Sequence, residues 1–298
     1  MENFNEFDWI SELPKNVKEG LVMGIGDDAA VIEFHKNCVI STDSLVEDSH
    51  FLKSDDPYLI GWKTAAVNLS DMAAMGCTAD FILLNLHIPN WFGTTQSKTF
   101  KNGFLNCLEE HNTVLIGGDT VLTKGDLLHC VATVLGQPFF EKPIYRSGAK
   151  ENDLIVVSGE LGGSFPKRHL NFTPKLKLSK TICDQLSPTS MIDISDGVLQ
   201  DLNHILCASK VGAKVDLYNI PIHSDVKNDK NPLKRALSDG EDFELLFTIP
   251  SNNDQLLSKF SDLCCIGEIT STSRELLGRK SASNEYLSLE AKGFQHNR

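Results

Sequence analysis

The chain has 298 residues, of which 41% are hydrophobic and 23% are charged. These proportions are typical of a globular protein with room for two domains, and they exclude a disordered chain. The 28 Lys and Arg residues are outnumbered by 40 Asp and Glu residues, which gives a net charge of −12. We therefore expect no binding to nucleic acid or to an anionic membrane surface, because both favour a basic protein.

Neither a membrane anchor nor an oxidised cysteine framework is expected. No apolar run approaches the ~18 residues of a membrane-spanning helix, and the first residues are acidic where a secretory signal would be basic. These features predict a cytoplasmic protein. The eight cysteines show no C-x-x-C spacing, so we expect reduced and mostly buried thiols.

Apolar patterns predict alternating strands and helices along the whole chain. In the first half, strands are predicted at 30–34, 38–42, 81–88, 114–116 and 129–135, and helices at 57–75 and about 97–110. In the second half, strands are predicted at 153–158, 243–249 and 265–269, and a helix at 198–210. Residues 136–150 are rich in Pro, Gly and charge, which favours a domain boundary. The pattern predicts an α/β (or α+β) fold with domains at 1–138 and 139–298, but it does not give the strand order.

Five turns combine aspartate with small residues at the ends of predicted elements. Any one of them is typical of local structure, because Asp and Gly favour turns and helix caps. If the carboxylates converge, each pair repels by about 4 kcal/mol at 4 Å in an effective dielectric of 20. A hard cation such as Mg²⁺ prefers oxygen ligands and would offset that repulsion, and it also binds substrate phosphates. The turns are Gly24–Asp28, Ser41–Ser44, Asn68–Asp71, Gly117–Thr120 and Asp193–Gly197.

Other nucleotide and metal motifs are disfavoured. Gly24–Ala29 matches G-x-G-x-x-A, but residues 30–34 continue as a strand where a dinucleotide fingerprint requires a helix. The sequence contains neither a P-loop nor an H-E-x-x-H motif. The acidic turns therefore predict polyanion binding through a metal. Glycine-rich turns, and the helix that begins after Gly197, would supply backbone N–H donors.

Six segments carry a resemblance to a known family: Gly24–Ala30, Ser41–Phe51, Ala66–Gly76, Gly117–Thr120, Ile192–Gly197 and Ser238–Leu245. In this order they resemble thiamine-monophosphate kinases, which belong to the superfamily of aminoimidazole ribonucleotide synthetase and selenophosphate synthetase. The resemblance extends from about residue 24 to residue 294. It implies ATP-dependent phosphorylation of thiamine phosphate to thiamine diphosphate, by direct in-line transfer assisted by several Mg²⁺ ions.

The resemblance also implies an organisation and a set of functional residues. The subunit is expected to have an N-terminal domain with a mixed sheet, which binds metal and ATP and forms a homodimer. A C-terminal α/β domain is expected to complete the substrate site. The implied magnesium ligands are Asp27, Ser41, Thr42, Asp43, Asp71, Asp119, Asp193 and Asp196, of which Asp43, Asp71 and Asp119 are the expected catalytic residues. The implied ATP contacts are Gly118, Arg146 and Ser195. The implied contacts to thiamine phosphate are His50, Glu241 and Phe294.

One stretch departs from the family pattern, and two other functions remain open at this point. Residues 160–180 are compressed relative to the family, which leaves the helix content of the second domain uncertain from sequence. A different synthetase of the superfamily would use another acceptor, although the reactive early or terminal cysteine of two such relatives is not found here. A nucleotide-binding regulatory module without catalysis is the third reading, but the complete acid set favours an enzyme.

Overall fold

The computed structural model describes residues 6–14, 17–25, 29–291 and 293. The chain forms two compact units. The N-terminal unit comprises residues 1–72 and 77–142, and the C-terminal unit comprises residues 73–76 and 143–298. Both units combine helices with sheets, which confirms the α/β prediction. Within the described ranges, none of the helices is both long enough and apolar enough to cross a bilayer.

The N-terminal unit is built on a four-stranded mixed sheet. Its strand order is β3-β6-β4-β5, with β4 and β5 parallel and the other pairs antiparallel. Strands β1 and β2 form a separate antiparallel pair. The elements are α1 (Glu6–Ser11), β1 (Leu21–Met23), β2 (Val31–Ile32), β3 (Val39–Val46), α2 (Pro57–Ala74), β4 (Phe81–Ile88), α3 (Thr94–Glu110), β5 (Val114–Leu122) and β6 (His129–Gly136).

The four-stranded sheet has one buried face and one partly open face. Along β6, Cys130, Ala132 and Val134 are completely buried, whereas the residues between them are only partly buried. This alternation is typical of a sheet that packs on one side only. Ile40 of β3 and Val121 of β5 are exposed at 61% and 42%, so the two edges of the sheet also carry exposed apolar side chains.

Two glycines allow helices α2 and α3 to touch through their backbones. A Cβ atom at Gly61 would lie 2.0 Å from the carbonyl oxygen of Phe100, and one at Gly103 would lie 1.8 Å from that of Tyr58. No side chain fits at such distances. The crossing of these helices therefore requires glycine at both positions.

The C-terminal unit contains a seven-stranded sheet of order β13-β12-β9-β11-β7-β10-β8. Only the β12–β9 pair is parallel among its described ladders. Helix α5 buries Val198, Leu202 and Ile205 in the core against this sheet. The elements are β7 (Leu154–Ser158), α4 (Leu176–Gln185), β8 (Ser190–Asp193), α5 (Val198–Ser209), β9 (Gly212–Asp216), α6 (Pro232–Ser238), β10 (Leu245–Ile249), α7 (Asp254–Leu257), β11 (Leu263–Thr270), β12 (Leu276–Arg279) and β13 (Leu287–Ser288).

Several sequence predictions differ from the structure. Strand β5 continues to Leu122 instead of ending at 116, so Gly117–Thr120 lies within a strand and not in the predicted turn. Ser41–Ser44 likewise lies within β3, and Asn68–Asp71 lies within α2. Strand β10 begins at Leu245 instead of 243, because Phe243 has a φ of 51° and leaves the extended conformation. All eight cysteines are free thiols, but only Cys77, Cys107 and Cys130 are buried. The prediction that most thiols would be buried is therefore wrong.

The helix crossing gives a stability test. Gly103→Ala should lower the free energy of unfolding by about 1–3 kcal/mol, because the new methyl group overlaps the backbone of α2. Urea denaturation measures the change. Gly125→Ala is the matched control, since its nearest neighbour would be the Thr123 hydroxyl at 3.3 Å, and it should stay within about 0.5 kcal/mol of the parent. Equal losses in the two variants would contradict the close-approach argument.

Candidate functional site

The first acidic group lies on strand β3 and helix α2. Ser41 and Asp43 project from the same side of β3, since alternate residues share a face. The Ser41 hydroxyl donates a hydrogen bond to the Asp71 carboxylate on α2. Thr42 lies on the opposite face, where its hydroxyl donates to the Ala132 carbonyl at 2.9 Å. The structure therefore brings together a hydroxyl and a carboxylate from distant parts of the sequence, with Asp43 on the same side of the strand.

His50 follows β3 and is fixed by its backbone and its ring. Its Nδ1 accepts a hydrogen bond from the Val46 N–H at 3.1 Å, and the Lys63 ammonium donates to its carbonyl at 2.8 Å. Because Nδ1 accepts, the neutral ring carries its proton on Nε2. The His50 ring thus carries an N–H donor at Nε2, four residues after the end of β3.

The second acidic group lies on β5, at the other edge of the same sheet. A Cβ atom at Gly118 would lie 1.8 Å from the Leu84 carbonyl oxygen, so this position requires glycine. Asp119 is exposed, and its Oδ1 accepts the Thr120 N–H at 2.9 Å. A mainly apolar cavity of about 730 Å³ extends to this segment of β5. Its lining includes Trp9, Ile25, Ile32, Leu83, Leu115 and Gly118.

The sheet order separates these two acidic groups. Asp43 is in register with Ala132, Leu84 and Gly118 across the four strands. Three strand spacings of about 4.8 Å therefore place Asp43 and the Gly118–Asp119 segment of β5 about 14 Å apart. One Mg²⁺ ion holds its ligands at about 2.1 Å, so a single ion cannot join Asp43 and Asp119 within one chain.

The third acidic group lies at the end of β8 and the start of α5. One oxygen each of Asp196 and Asp201 and one nitrogen of His204 lie within 4.8 Å of one another. Asp201 accepts the backbone N–H groups of Asp196 and Gly197, each at 3.1 Å. Asp201 is not among the residues predicted from the sequence, although an acid four residues after Gly197, in the first turn of a helix, is a recognisable capping signal.

The surroundings of Asp201 in this third group change the pKa of its carboxyl. Burial, followed by repulsion from Asp193 and Asp196, raises the pKa of Asp201 to about 8. The group thus has the electrostatic character of a cation site, because carboxylates in close proximity favour a positive ion between them.

The predicted substrate residue Glu241 lies beside the predicted ATP residue Ser195. The Glu241 N–H donates to the Ser195 carbonyl at 2.8 Å, and the Phe243 N–H donates to the Ile194 carbonyl at 2.8 Å. Side chains from residues 158–175, none of them predicted as functional, contact Glu241 and its neighbours. Arg146 is exposed. Asp27 and Phe294 lie outside the described residues.

Comparison with known proteins agrees with the sequence resemblance. Residues 26–137 match the family model "AIR synthase related protein, N-terminal domain". The thiamine-monophosphate kinase of Buchnera aphidicola subsp. Schizaphis graminum (strain Sg) is 35% identical, over 98% of this chain and 99% of the relative. The chain belongs to the thiamine-monophosphate kinase family. It is an enzyme, a kinase, and the resemblance predicted from the sequence is confirmed.

Two solved structures of this kinase family have the same fold. Thiamine-monophosphate kinase from Stenotrophomonas maltophilia K279a is 30% identical with a TM-score of 0.76, over 85% of this chain and 90% of that one. AaThiL complexed with AMPPCP and TMP is 28% identical with a TM-score of 0.74, over 89% of this chain and 91% of that one. The alternatives of another synthetase or a non-catalytic module are therefore not retained.

Asp201 gives a test of the third acidic group in the kinase. Asp201→Ala should lower the free energy of unfolding by about 1–3 kcal/mol, because the buried N–H of Gly197 and the partly buried N–H of Asp196 lose their acceptor. Asp201→Asn retains an acceptor oxygen and should lose less than half as much. Urea denaturation of both variants measures the difference. Equal destabilisation by Ala and Asn would show that the hydrogen bonds to Asp196 and Gly197 do not hold the turn.

Proposed function

We propose that this kinase phosphorylates thiamine phosphate to thiamine diphosphate, with ATP as the donor and Mg²⁺ ions as cofactors. The observation that carries the substrate assignment is the complex of the homologous AaThiL with AMPPCP, an analogue of ATP, and with TMP. The chain is similar to AaThiL over 89% of its length. The chain has its own acidic groups, and Gly117 and Gly118 of β5 expose backbone next to them. Both features suit the binding of two phosphorylated substrates.

The donor set supports magnesium as the metal. The first acidic group offers only oxygen atoms, from Ser41, Asp43 and Asp71, and hard oxygen ligands are those that Mg²⁺ prefers. In the C-terminal unit, Asp193 and Asp196 offer further carboxylates, and their negative charges add to the effect of burial in raising the pKa of Asp201 to about 8. When bound, Mg²⁺ ions neutralise phosphate charge, so that two anionic substrates approach each other.

The proposed transfer forms one P–O bond and breaks another. An oxygen of the thiamine phosphate phosphoryl group attacks the γ-phosphorus of ATP while the bond to the ADP oxygen breaks in line, without a phosphoenzyme. The residues of the chain act mainly by positioning, because phosphoryl transfer needs little covalent assistance. Gly118, Arg146 and Ser195 are proposed to orient ATP, and the Nε2–H of His50 and the carboxylate of Glu241 to orient thiamine phosphate.

The cavity beside β5 fits the base of ATP. It is lined mainly by apolar side chains, and it opens beside the backbone of Gly117 and Gly118. Small-molecule pockets are characteristically apolar with a few polar groups that fix orientation. The flat adenine ring would enter the apolar part of the cavity, while the phosphates of ATP would extend toward Gly117, Gly118 and Asp119 of β5.

The separation of Asp43 and Asp119 supports a homodimer. Because the two edges of one sheet are about 14 Å apart, we propose that a second copy brings the Gly118–Asp119 segment of its β5 to the edge that carries Asp43. The partly open face of the sheet and the exposed Ile40 and Val121 suit such pairing. Residues 1–138 are thus assigned metal binding, ATP binding and dimerisation, and residues 139–298 the remaining substrate contacts.

The activity itself is tested by product analysis. With ATP and Mg²⁺, the protein should convert thiamine phosphate to equal amounts of thiamine diphosphate and ADP, measured by chromatography, and EDTA should abolish the reaction. Asp71→Asn should lower kcat by about 10²–10³-fold, because a group that stabilises transferring charge is lost. ATP consumption that is independent of thiamine phosphate would contradict the proposed function.

The shared site is tested by mixing two inactive variants. Asp43→Asn and Asp119→Asn should each be inactive as homodimers. Co-expressed in one cell, they form mixed dimers in which one of the two sites holds both native aspartates. Random pairing should then restore about a quarter of the wild-type activity in a symmetric dimer. No recovery, with mixed dimers verified by two affinity tags, would place both aspartates of a site in the same subunit.

A further inference from the structure

Residues 240–244 form a loop that is held in an uncommon conformation. Gly240, Glu241 and Phe243 have φ angles of 73°, 53° and 51°. Non-glycine residues rarely adopt this left-handed region, and each costs of order 1–3 kcal/mol unless its surroundings impose it. The two backbone hydrogen bonds to Ile194 and Ser195 fix one side of the loop. The side chains must fix the other.

Four consecutive side chains of the loop contact residues from 158–175. The Asp242 carboxylate is buried and accepts hydrogen bonds from the Gly162 N–H at 3.0 Å, the Ser164 hydroxyl at 2.6 Å and the Arg168 guanidinium at 3.0 Å. Glu244 accepts from the Ser158 hydroxyl at 2.5 Å and lies 2.9 Å from the Lys175 ammonium. The Phe243 ring stacks on Phe172 with centroids 4.1 Å apart.

The fourth contact joins His169 to Glu241, and it has a defined proton arrangement. The His169 side chain is completely buried, and its Nδ1 lies 2.9 Å from Glu241 Oε2. Its Nε2 lies 3.1 Å from the Pro166 carbonyl oxygen. A carbonyl oxygen only accepts, and so does an ionised carboxylate, so each contact favours a proton on the ring nitrogen that it faces. For the contact to Glu241, that nitrogen is Nδ1.

The surroundings of the pair hold the ring in one orientation and leave the carboxylate accessible. The Glu241 side chain is 24% exposed, whereas that of His169 is completely buried. The Phe165 ring lies beside His169 with centroids 5.0 Å apart, and the His169 N–H donates to the Ser164 carbonyl at 3.0 Å. The imidazole is therefore fixed in place before any ligand binds.

We propose that His169 is a positioning residue for the acceptor substrate: its Nδ1–H holds the ionised Glu241 carboxylate in the orientation that accepts a hydrogen bond from a heterocyclic amino group. The proposal rests on the proposed function, in which the Glu241 carboxylate orients thiamine phosphate. The heterocyclic amino group is then the one on the aminopyrimidine ring of that substrate. His169 itself is completely buried and acts through Glu241. Its effect belongs to substrate binding and not to the transfer step, because the heterocycle is remote from the phosphorus that moves.

Two substitutions of His169 separate positioning from packing. The side-chain nitrogen of Asn occupies about the place of Nδ1, whereas that of Gln occupies about the place of Nε2. His169→Gln should raise the KM for thiamine phosphate about 10-fold, with kcat and the KM for ATP within about 2-fold, because the lost interaction is equally strong in ground and transition states. His169→Asn should keep the KM for thiamine phosphate within about 3-fold of the parent.

Steady-state kinetics with both substrates varied, together with thermal unfolding of each variant, distinguish a positioning role of His169 from a packing role. Equal KM values for the Asn and Gln variants would overturn the proposal, as would a fall in kcat without a change in KM. As a second check, His169→Gln should have no further effect on KM in a Glu241→Gln background, because both changes remove the same interaction. Additive effects would show that His169 does not act through Glu241.

A spectroscopic measurement tests the proton arrangement without any substrate. In ¹⁵N-histidine-labelled wild-type protein, Nδ1 of His169 should carry a proton, with the resonance assigned by its loss in His169→Gln. A ring without a proton on Nδ1 would overturn the proposal. If the wild-type protein fails to phosphorylate thiamine phosphate but shows the proton on Nδ1, the proposed function fails while the His169–Glu241 arrangement stands.

Discussion

The electrostatic cost of holding carboxylates close together is the constraint on which the candidate site depends. The C-terminal unit meets it in two ways. At Asp242, burial raises the pKa of the carboxyl, and hydrogen bonds from Ser164 and Gly162 and the charge of Arg168 oppose that effect. At Asp201, burial is reinforced by the negative charges of Asp193 and Asp196. The first carboxylate is compensated by the chain itself, whereas the second group favours a cation from solution.

Strand order has the same importance in the N-terminal unit. Asp43 and Asp119 lie on strands that are distant in sequence. Because both are carboxylates, residue type alone would assign them to the same metal ion. The order β3-β6-β4-β5 puts their strands at opposite edges. The sheet therefore holds these two residues too far apart to share a metal within one subunit. In the proposed homodimer, a symmetric second copy would bring them together without any change in the fold of the subunit.

The sequence predicted elements with strong local signals and missed those defined by distant contacts. The apolar run Phe81–Ile88 and the helix that begins at Pro57 were placed correctly. Strands β8, β9 and β12 were missed, because each is only four or five residues long and is formed by its neighbours. The family resemblance predicted Glu241 as a substrate contact through its motif. The contacts of Arg168 and His169 with Asp242 and Glu241 join positions more than 70 residues apart, so no local pattern predicts them.

The left-handed loop at 240–244 has a consequence for the energetics of ligand binding. A flexible recognition loop loses conformational entropy when it closes on a ligand, at about 0.5–1.5 kcal/mol for each side chain that becomes immobile. Here Glu241, Asp242, Phe243 and Glu244 are already held by residues 158–175. Their ordering is completed during folding. A ligand that meets this loop would therefore find a preorganised surface, and its association would be limited by encounter and desolvation instead of by rearrangement of the protein.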